Sequence, residues 1–128
     1  MKSRGWLPLL IAAAGMIVYA NSLSTPFFFD DLVSIVNNPN IRRLWPLWEL
    51  LQTSTRPALE FSFALNYAIG KLHVTNYHLT NLLIHLCAAL TLYGILRRTL
   101  QRTWLAFSAT LLWTVHPLQT QSVTYLVQ

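Results

Sequence analysis

Long apolar runs alternate with mixed polar segments along this chain, and they are close to the length of membrane helices. They cover residues 6–23, 77–96 and 103–117. A helix needs about 20 mostly apolar residues to cross the hydrocarbon core of a bilayer. The first two runs meet that length, whereas the third is stopped early by His116 and Pro117. The pattern therefore predicts an all-α integral membrane protein with about three spans.

The first run permits two interpretations. Lys2 and Arg4 precede it, so residues 7–20 could be the core of a signal peptide, with 18–20 as a small-residue cleavage site. The alternative is an uncleaved membrane helix. The length of the run and the further spans after it favour the uncleaved helix.

Residues 24–75 form a long mixed segment that its prolines divide into short pieces. Asn and Pro at 37–40 predict a turn. Residues 46–52 begin near a proline and carry Trp, which suits a short helix in the membrane interface. A second short helix is predicted over 57–69, because Pro favours its first turn and Gly70 its end. The segment is thus predicted to be a long loop that carries short interfacial helices.

The second run carries a polar stripe. His78, Asn81 and His85 are three and four positions apart, so they share one helix face. Polar groups in lipid are costly, so this face should point at other helices or at a cavity. The opposite face, for which we take Leu82, Leu86 and Leu90, should be lipid-exposed. Each histidine taken alone favours the simpler interpretation, an interhelical hydrogen bond.

Composition supports a membrane protein. The chain is 54% hydrophobic and only 10% charged, against about 25% charged residues in soluble domains. Its net charge of +5 is spread thinly among apolar runs, which argues against a nucleic-acid partner. Cys87 is the only cysteine, so the chain can form no internal disulfide and no cysteine metal site. We predict no metal site and no cofactor.

Basic residues predict the orientation. Lys2 and Arg4 precede the first span, and residues 97–102 between the second and third runs contain three arginines. Short basic segments stay in the cytoplasm. Two crossings separate these clusters, so both can lie on that side. Residues 24–75 and His116 are then predicted to be non-cytoplasmic.

Two adjacent carboxylates, Asp30 and Asp31, follow three phenylalanines just beyond the first span. Like charges this close repel, and carboxylates are costly at bilayer depth. The pair is therefore either a solvated turn or helix cap, for which Asp is well suited, or part of a site that uses its charge. The residues alone leave both interpretations open.

A series of motifs gives the chain a family resemblance. In order they are FDD at 29–31, NNP at 37–39, RP at 56–57, LNY at 65–67, YHLTNLLIH at 77–85 and HPLQTQSV at 116–123. This series resembles the N-terminal part of polytopic GT-C glycosyltransferases. Within that fold it is most similar to the protein O-mannosyltransferase-like proteins that carry tetratricopeptide repeats.

The resemblance implies an activity. In such enzymes an acidic motif in the first non-cytoplasmic loop lies at the active site, and a mannose-like sugar passes from a polyprenyl-phosphate donor in the bilayer to a hydroxyl of an acceptor protein. Asp30 and Asp31 match the catalytic motif, with a weak preference for Asp31 as the base. The candidates for contact with the donor phosphate or substrate are Arg56, His78, His85 and His116.

Two departures qualify the resemblance. Many relatives have an acidic residue where this chain has Gln121. A GT-C fold also needs more than three spans, and no tetratricopeptide repeat is present. We therefore expect a fragment with a partial GT-C fold that is inactive without its downstream spans and repeats. Such a protein belongs in the inner membrane of a bacterium or the endoplasmic reticulum of a eukaryote.

The alternative function is a small integral membrane protein that acts as a structural or partner-binding module without catalysis. In that case the Asp pair would be a solvated turn.

Overall fold

The computed structural model describes residues 5–27, 30–44, 48, 52 and 56–126, and every regular element within these ranges is helical. This result confirms the all-α prediction. We label the α-helices in chain order as α1 (Leu7–Tyr19), α2 (Pro57–Gly70), α3 (Val74–Leu100), α4 (Thr103–Thr114) and α5 (Gln119–Thr124). The other elements are 3-10 turns at Ala20–Ser24 and Asn40–Arg42 and a π-helical turn at Leu32–Val36.

Two of the described helices are long and apolar enough to cross a membrane. One is α1 with its 3-10 continuation, Leu7–Ser24, which has 18 residues, and the other is α3, which has 27. Helix α4 has 12 residues, so it rises about 18 Å, less than the roughly 30 Å of the hydrocarbon core. Membrane crossing by the third apolar run therefore stays a prediction.

The helix ends follow local sequence signals. Helix α2 begins at Pro57 and ends at Gly70, as predicted. Helix α3 ends where Gln101 adopts a left-handed backbone with φ of 53°. The predicted turn is also present, because the Asn38 side-chain oxygen accepts the Asn40 N–H at 2.9 Å. The predicted interfacial helix over 46–52 lies outside the described residues, apart from Trp48 and Gln52.

Helices α1 and α4 both pack antiparallel to α3. Near the α3 C-terminus, one buried cluster joins α1, α3 and α4 through Leu7, Ile11, Ala89, Tyr93 and Ala106. Nearer the α3 N-terminus, a second cluster joins Tyr19, Leu82, Leu86 and Val123. The start of α1 and the α3–α4 loop therefore lie at the same end of the bundle, which we call the basic end because Arg97, Arg98 and Arg102 are exposed there.

Aromatic side chains accompany the arginines at the basic end. The rings of Trp6 and Trp104 meet edge to face, with centroids 6.3 Å apart, and both are half-exposed. Trp favours the membrane–water interface, and Arg at a helix end anchors it there. This arrangement suits a boundary between bilayer and water at the basic end.

The face of α3 opposite the polar stripe was predicted incorrectly. Leu82 and Leu86 are only 4% and 8% exposed, whereas Leu83 and Ile84 are 53% and 58% exposed. The reason is helix geometry: Leu82 is four residues after His78, so the two share one face. The buried face contains the histidines and these leucines together, and only Leu90 of the predicted trio is exposed.

Gly15 permits the close approach of α1 to α3 and α4. A Cβ at this position would lie 2.6 Å from Leu86 Cδ2 and 3.1 Å from Thr114 Cγ2. Gly94 of α3 is a matched control, since a Cβ there meets nothing within 4 Å. Small residues at such crossings allow membrane helices to pack closely.

Gly15→Leu should therefore lower the free energy of unfolding by about 1–3 kcal/mol through overpacking. Gly94→Leu should be neutral or slightly stabilising, because Gly inside a helix costs about 0.5–1 kcal/mol. Denaturation in detergent micelles, followed by circular dichroism, measures both changes. Equal losses for the two variants would contradict the close packing at Gly15.

Candidate active site

The segment that leads to the Asp pair is fastened to α3. We call residues 25–36 the acidic segment; residues 28 and 29 lie outside the described part. Thr25 is extended, and its carbonyl accepts the Nε2 proton of His78 at 2.8 Å. The Phe27 ring meets the Tyr77 ring edge to face, with centroids 5.7 Å apart. The acidic segment is therefore held on two neighbouring residues of α3.

The two carboxylates of the pair have different surroundings. Asp30 is exposed, whereas Asp31 is only 3% exposed. Asp31 precedes the π-helical turn, yet among the described residues its side chain makes no capping hydrogen bond to that turn. The helix-cap interpretation is therefore not supported for Asp31. The exposed Asp30 is the carboxylate that a substrate can reach directly.

His78 is fully enclosed, at 0% exposure. A carbonyl oxygen can only accept a hydrogen bond, so the Thr25 contact places the His78 proton on Nε2. Its Nδ1 is buried and has no hydrogen-bond partner in the described part of the chain. This geometry is that of the simpler interpretation of the stripe, and contact between His78 and a donor phosphate stays a prediction.

His85 is the centre of a different junction. Its Nε2 donates to the Thr114 carbonyl at 3.0 Å. Its ring stacks on Trp113 with centroids 5.1 Å apart and meets the Tyr19 edge at 5.4 Å. His85 follows His78 by seven residues, or about 10 Å along the helix. His85 therefore ties α1, α3 and the end of α4 together farther from the acidic segment.

His116 and Arg56 are both exposed. The His116 Nδ1 accepts the Leu118 N–H at 3.2 Å, and its carbonyl accepts the Tyr19 hydroxyl at 3.1 Å. Arg56 immediately precedes α2, where its carbonyl accepts the N–H groups of Leu59 and Glu60. Of the four predicted donor-binding residues, these two present side chains at the surface.

The structure also contains polar contacts that the sequence analysis missed. Asn66 of α2 is buried, and its side-chain oxygen accepts the Thr80 hydroxyl of α3 at 2.8 Å. Asn81 donates to the Tyr125 carbonyl at 3.2 Å. Asn66 was visible as a polar residue on an apolar helix, whereas a backbone acceptor such as the Thr25 carbonyl leaves no signal in sequence.

An open depression of about 670 Å³ lies at the basic end, lined by Arg102, Thr103, Trp104, Leu105 and Ser108. The acidic segment contacts the opposite end of α3, so this depression is not part of the candidate site. Among the described residues, no group of three or more His, Cys, Asp or Glu side chains could hold a metal ion.

Comparison with known proteins reveals clear relatives. The chain is 32% identical over 133 residues to a protein O-mannosyl-transferase of Caenorhabditis elegans, covering 90% of this chain and 19% of the relative. It is 32% identical to the protein O-mannosyl-transferase TMTC2 of Homo sapiens, covering 93% of this chain and 16% of the relative. For the protein O-mannosyl-transferase Tmtc1 of Drosophila melanogaster the identity is 30%, with coverages of 91% and 15%.

The chain thus spans less than a fifth of the length of these curated relatives. No family model matches it, and no solved structure matches it. The relatives confirm the resemblance that the motif series indicated, at the level of the protein O-mannosyl-transferases. Over about nine tenths of its length, this chain resembles part of a protein O-mannosyl-transferase.

Proposed function

We propose that this chain is part of a membrane glycosyltransferase that moves a mannose-like sugar from a polyprenyl-phosphate donor to a protein hydroxyl. The observation that carries the proposal is the Asp pair, which lies next to anchored residues of α3 in a chain similar to protein O-mannosyl-transferases. The two long apolar helices are consistent with a membrane setting, where a polyprenyl donor is dissolved.

The chemistry needs a carboxylate. The acceptor hydroxyl gives its proton to the carboxylate as its oxygen attacks the anomeric carbon of the sugar. The bond between that carbon and the phosphate oxygen breaks, and polyprenyl phosphate leaves with the electron pair. Exposure favours Asp30 as the proton acceptor, and Asp31 lies behind it as a buried neighbouring charge.

The departing phosphate needs cationic or hydrogen-bonding partners. Arg56 and His116 are the exposed candidates, and a guanidinium can bind phosphate oxygens with two parallel hydrogen bonds. Gln121 is exposed on α5, where its amide can form hydrogen bonds but cannot act as a base. A base at that position is therefore not part of the proposed mechanism.

The activity is proposed for a longer protein that contains this segment. The chain spans less than a fifth of its relatives, so further spans, tetratricopeptide repeats and the acceptor protein are proposed partners. One observation favours the alternative, a non-catalytic membrane module: His78 and His85 both donate to backbone carbonyls, as interhelical contacts do. A reading frame that continues into further apolar spans favours the transferase over this module.

The direct test is an assay of transfer. The longest protein encoded by the reading frame around this segment is purified, reconstituted in lipid vesicles and supplied with polyprenyl-phosphate mannose and a hydroxyl-bearing acceptor peptide. Mannosyl peptide should accumulate with time and with enzyme concentration. No transfer by a folded, inserted protein, across peptide and whole-protein acceptors, would contradict the proposal.

The proposed function also requires the acidic segment to lie outside the cytoplasm. Since the start of α1 and the α3–α4 loop share the basic end, both are expected to be cytoplasmic by the positive-inside rule. A reporter that works only in the cytoplasm should be inactive when fused at Asn40 and active when fused at Gln101. Strong activity at Asn40 would reverse the orientation.

A further inference from the structure

We propose that His78 is a positioning residue: its Nε2–H bond to the Thr25 carbonyl holds the acidic segment in place against α3. The effect on catalysis rests on the proposed transferase function, whereas the hold on the segment does not. This role differs from contact with the donor phosphate, because the Nε2 proton of His78 is already donated and the ring is fully enclosed.

Thr25 lies where the chain leaves the first membrane helix. The Thr25 N–H still donates to the Ser22 carbonyl at 3.1 Å, but the residue itself is extended. A buried carbonyl without a donor costs free energy. His78 supplies that donor from a position 53 residues away in sequence. The bond therefore fixes the exit of the chain from one helix onto the surface of another.

The Asp pair lies a short distance beyond this fixed point. Asp30 is five residues after Thr25, a stretch that can extend to about 17 Å at most. A second contact before the pair, between Phe27 and Tyr77, shortens the free length further. Movement at Thr25 would therefore be transmitted directly to Asp30 and Asp31.

The chain is held again after the pair. Ile35 is buried in the same cluster as Tyr77, and the Tyr77 hydroxyl donates to the Lys71 carbonyl at 2.9 Å. Phe27 and Ile35 thus bracket the carboxylates on one patch of α3. The bond of His78, the residue next to Tyr77, is the hydrogen-bonded part of this attachment.

An imidazole is a costly choice for mere filling at this position. The Nδ1 of His78 is buried with no partner in the described residues, and an unsatisfied polar atom destabilises a fold. An apolar ring of similar size would avoid that cost. Donation from Nε2 to Thr25 is the contribution that an apolar ring would lose.

The test separates the hydrogen bond from the shape of the ring. His78→Phe keeps the ring but removes the donor, whereas the amide of His78→Gln can still reach the Thr25 carbonyl. Hydrogen exchange is measured on this chain in detergent micelles for a peptide covering 31–37, where the Asn37 N–H is protected by the Leu32 carbonyl at 2.8 Å. His85→Phe is the matched control, since it removes the same kind of bond on the same helix at Thr114.

Exchange in 31–37 should be about tenfold faster in His78→Phe, the change expected from a lost buried hydrogen bond. It should stay near the wild-type rate in His78→Gln. His85→Phe should accelerate exchange around 110–115 and leave 31–37 unchanged, since local openings are regional. Unchanged exchange in His78→Phe, failure of Gln to restore protection, or equal acceleration at 31–37 by His85→Phe would each overturn the proposal.

A kinetic arm uses the longer reconstituted protein. His78→Phe should lower kcat and leave the KM for the sugar donor unchanged, with kcat restored by His78→Gln. A raised donor KM with unchanged kcat would instead indicate phosphate binding and overturn the positioning role. Exchange is measured without any sugar transfer, so a failed transferase assay would remove the proposed function and leave the hold on the acidic segment intact.

Discussion

Replacing Asp30 or Asp31 by Asn should reduce sugar transfer about 10²- to 10⁴-fold, the loss typical when a general base is removed. Membrane insertion and protein abundance should stay nearly unchanged. Asn is close to Asp in size and serves in turns and caps nearly as well. A solvated turn would therefore tolerate the substitution, and a proton acceptor would not.

The two variants should differ in severity. Only one carboxylate can be aimed at the acceptor hydroxyl, and the exposure of Asp30 favours it over the buried Asp31. Asp30→Asn should therefore cause the larger loss of kcat. The sequence alone leaned weakly towards Asp31, because exposure cannot be read from two adjacent identical residues.

The measurement is transfer from a polyprenyl-phosphate-linked sugar to a peptide hydroxyl by the reconstituted longer protein, at matched protein levels. Glu60→Gln is the charge-matched control, since it removes a carboxylate from α2 outside the acidic segment. It should retain most of the activity. Near wild-type transfer by both Asp variants would assign the pair to a solvated turn and remove the catalytic interpretation.

Helix existence and several helix ends were predictable because they depend on local chemistry. Pro57 and Gly70 fix the ends of α2 through a preset φ and a permissive backbone. The length of an apolar run determined α3 in the same way. The spacing of His78 and His85 also predicted correctly that both lie on the packed face.

Details that depend on a partner surface were not predictable. The lipid-facing side of α3 was wrong at Leu82 and Leu86, because a wide packed face includes residues four positions from each histidine. The acceptors for both histidines are backbone carbonyls, which every residue has. The sequence could thus identify polar residues that need partners, but not which turn of the chain supplies them.

His85 should be among the most sensitive structural positions in the bundle. Its N–H satisfies the Thr114 carbonyl, and its ring contacts Trp113 and Tyr19. His85→Leu removes the donor and both ring contacts. An unsatisfied buried carbonyl costs about 1–3 kcal/mol, and an aromatic pair contributes about 0.5–1.5 kcal/mol. We therefore expect the free energy of unfolding to fall by about 2–4 kcal/mol.

Two further variants separate these contributions. His85→Phe keeps a ring between Tyr19 and Trp113, so it should lose only the share of the hydrogen bond and fall between wild type and His85→Leu. Thr91→Val is the control: it removes a hydroxyl that donates to the Cys87 carbonyl at 2.8 Å on the exposed side of the same helix. Water or lipid headgroups can replace an exposed contact more easily than a buried one, so its cost should be small.

Denaturation in micelles, followed by tryptophan fluorescence, measures the series, since Trp113 stacks directly on His85. The expected order of stability is wild type and Thr91→Val, then His85→Phe, then His85→Leu. If Thr91→Val lost as much stability as His85→Leu, the three-helix junction at His85 would have no special role. If His85→Phe matched wild type, ring packing alone would hold α1, α3 and α4 together, because the bond to Thr114 would then contribute nothing measurable.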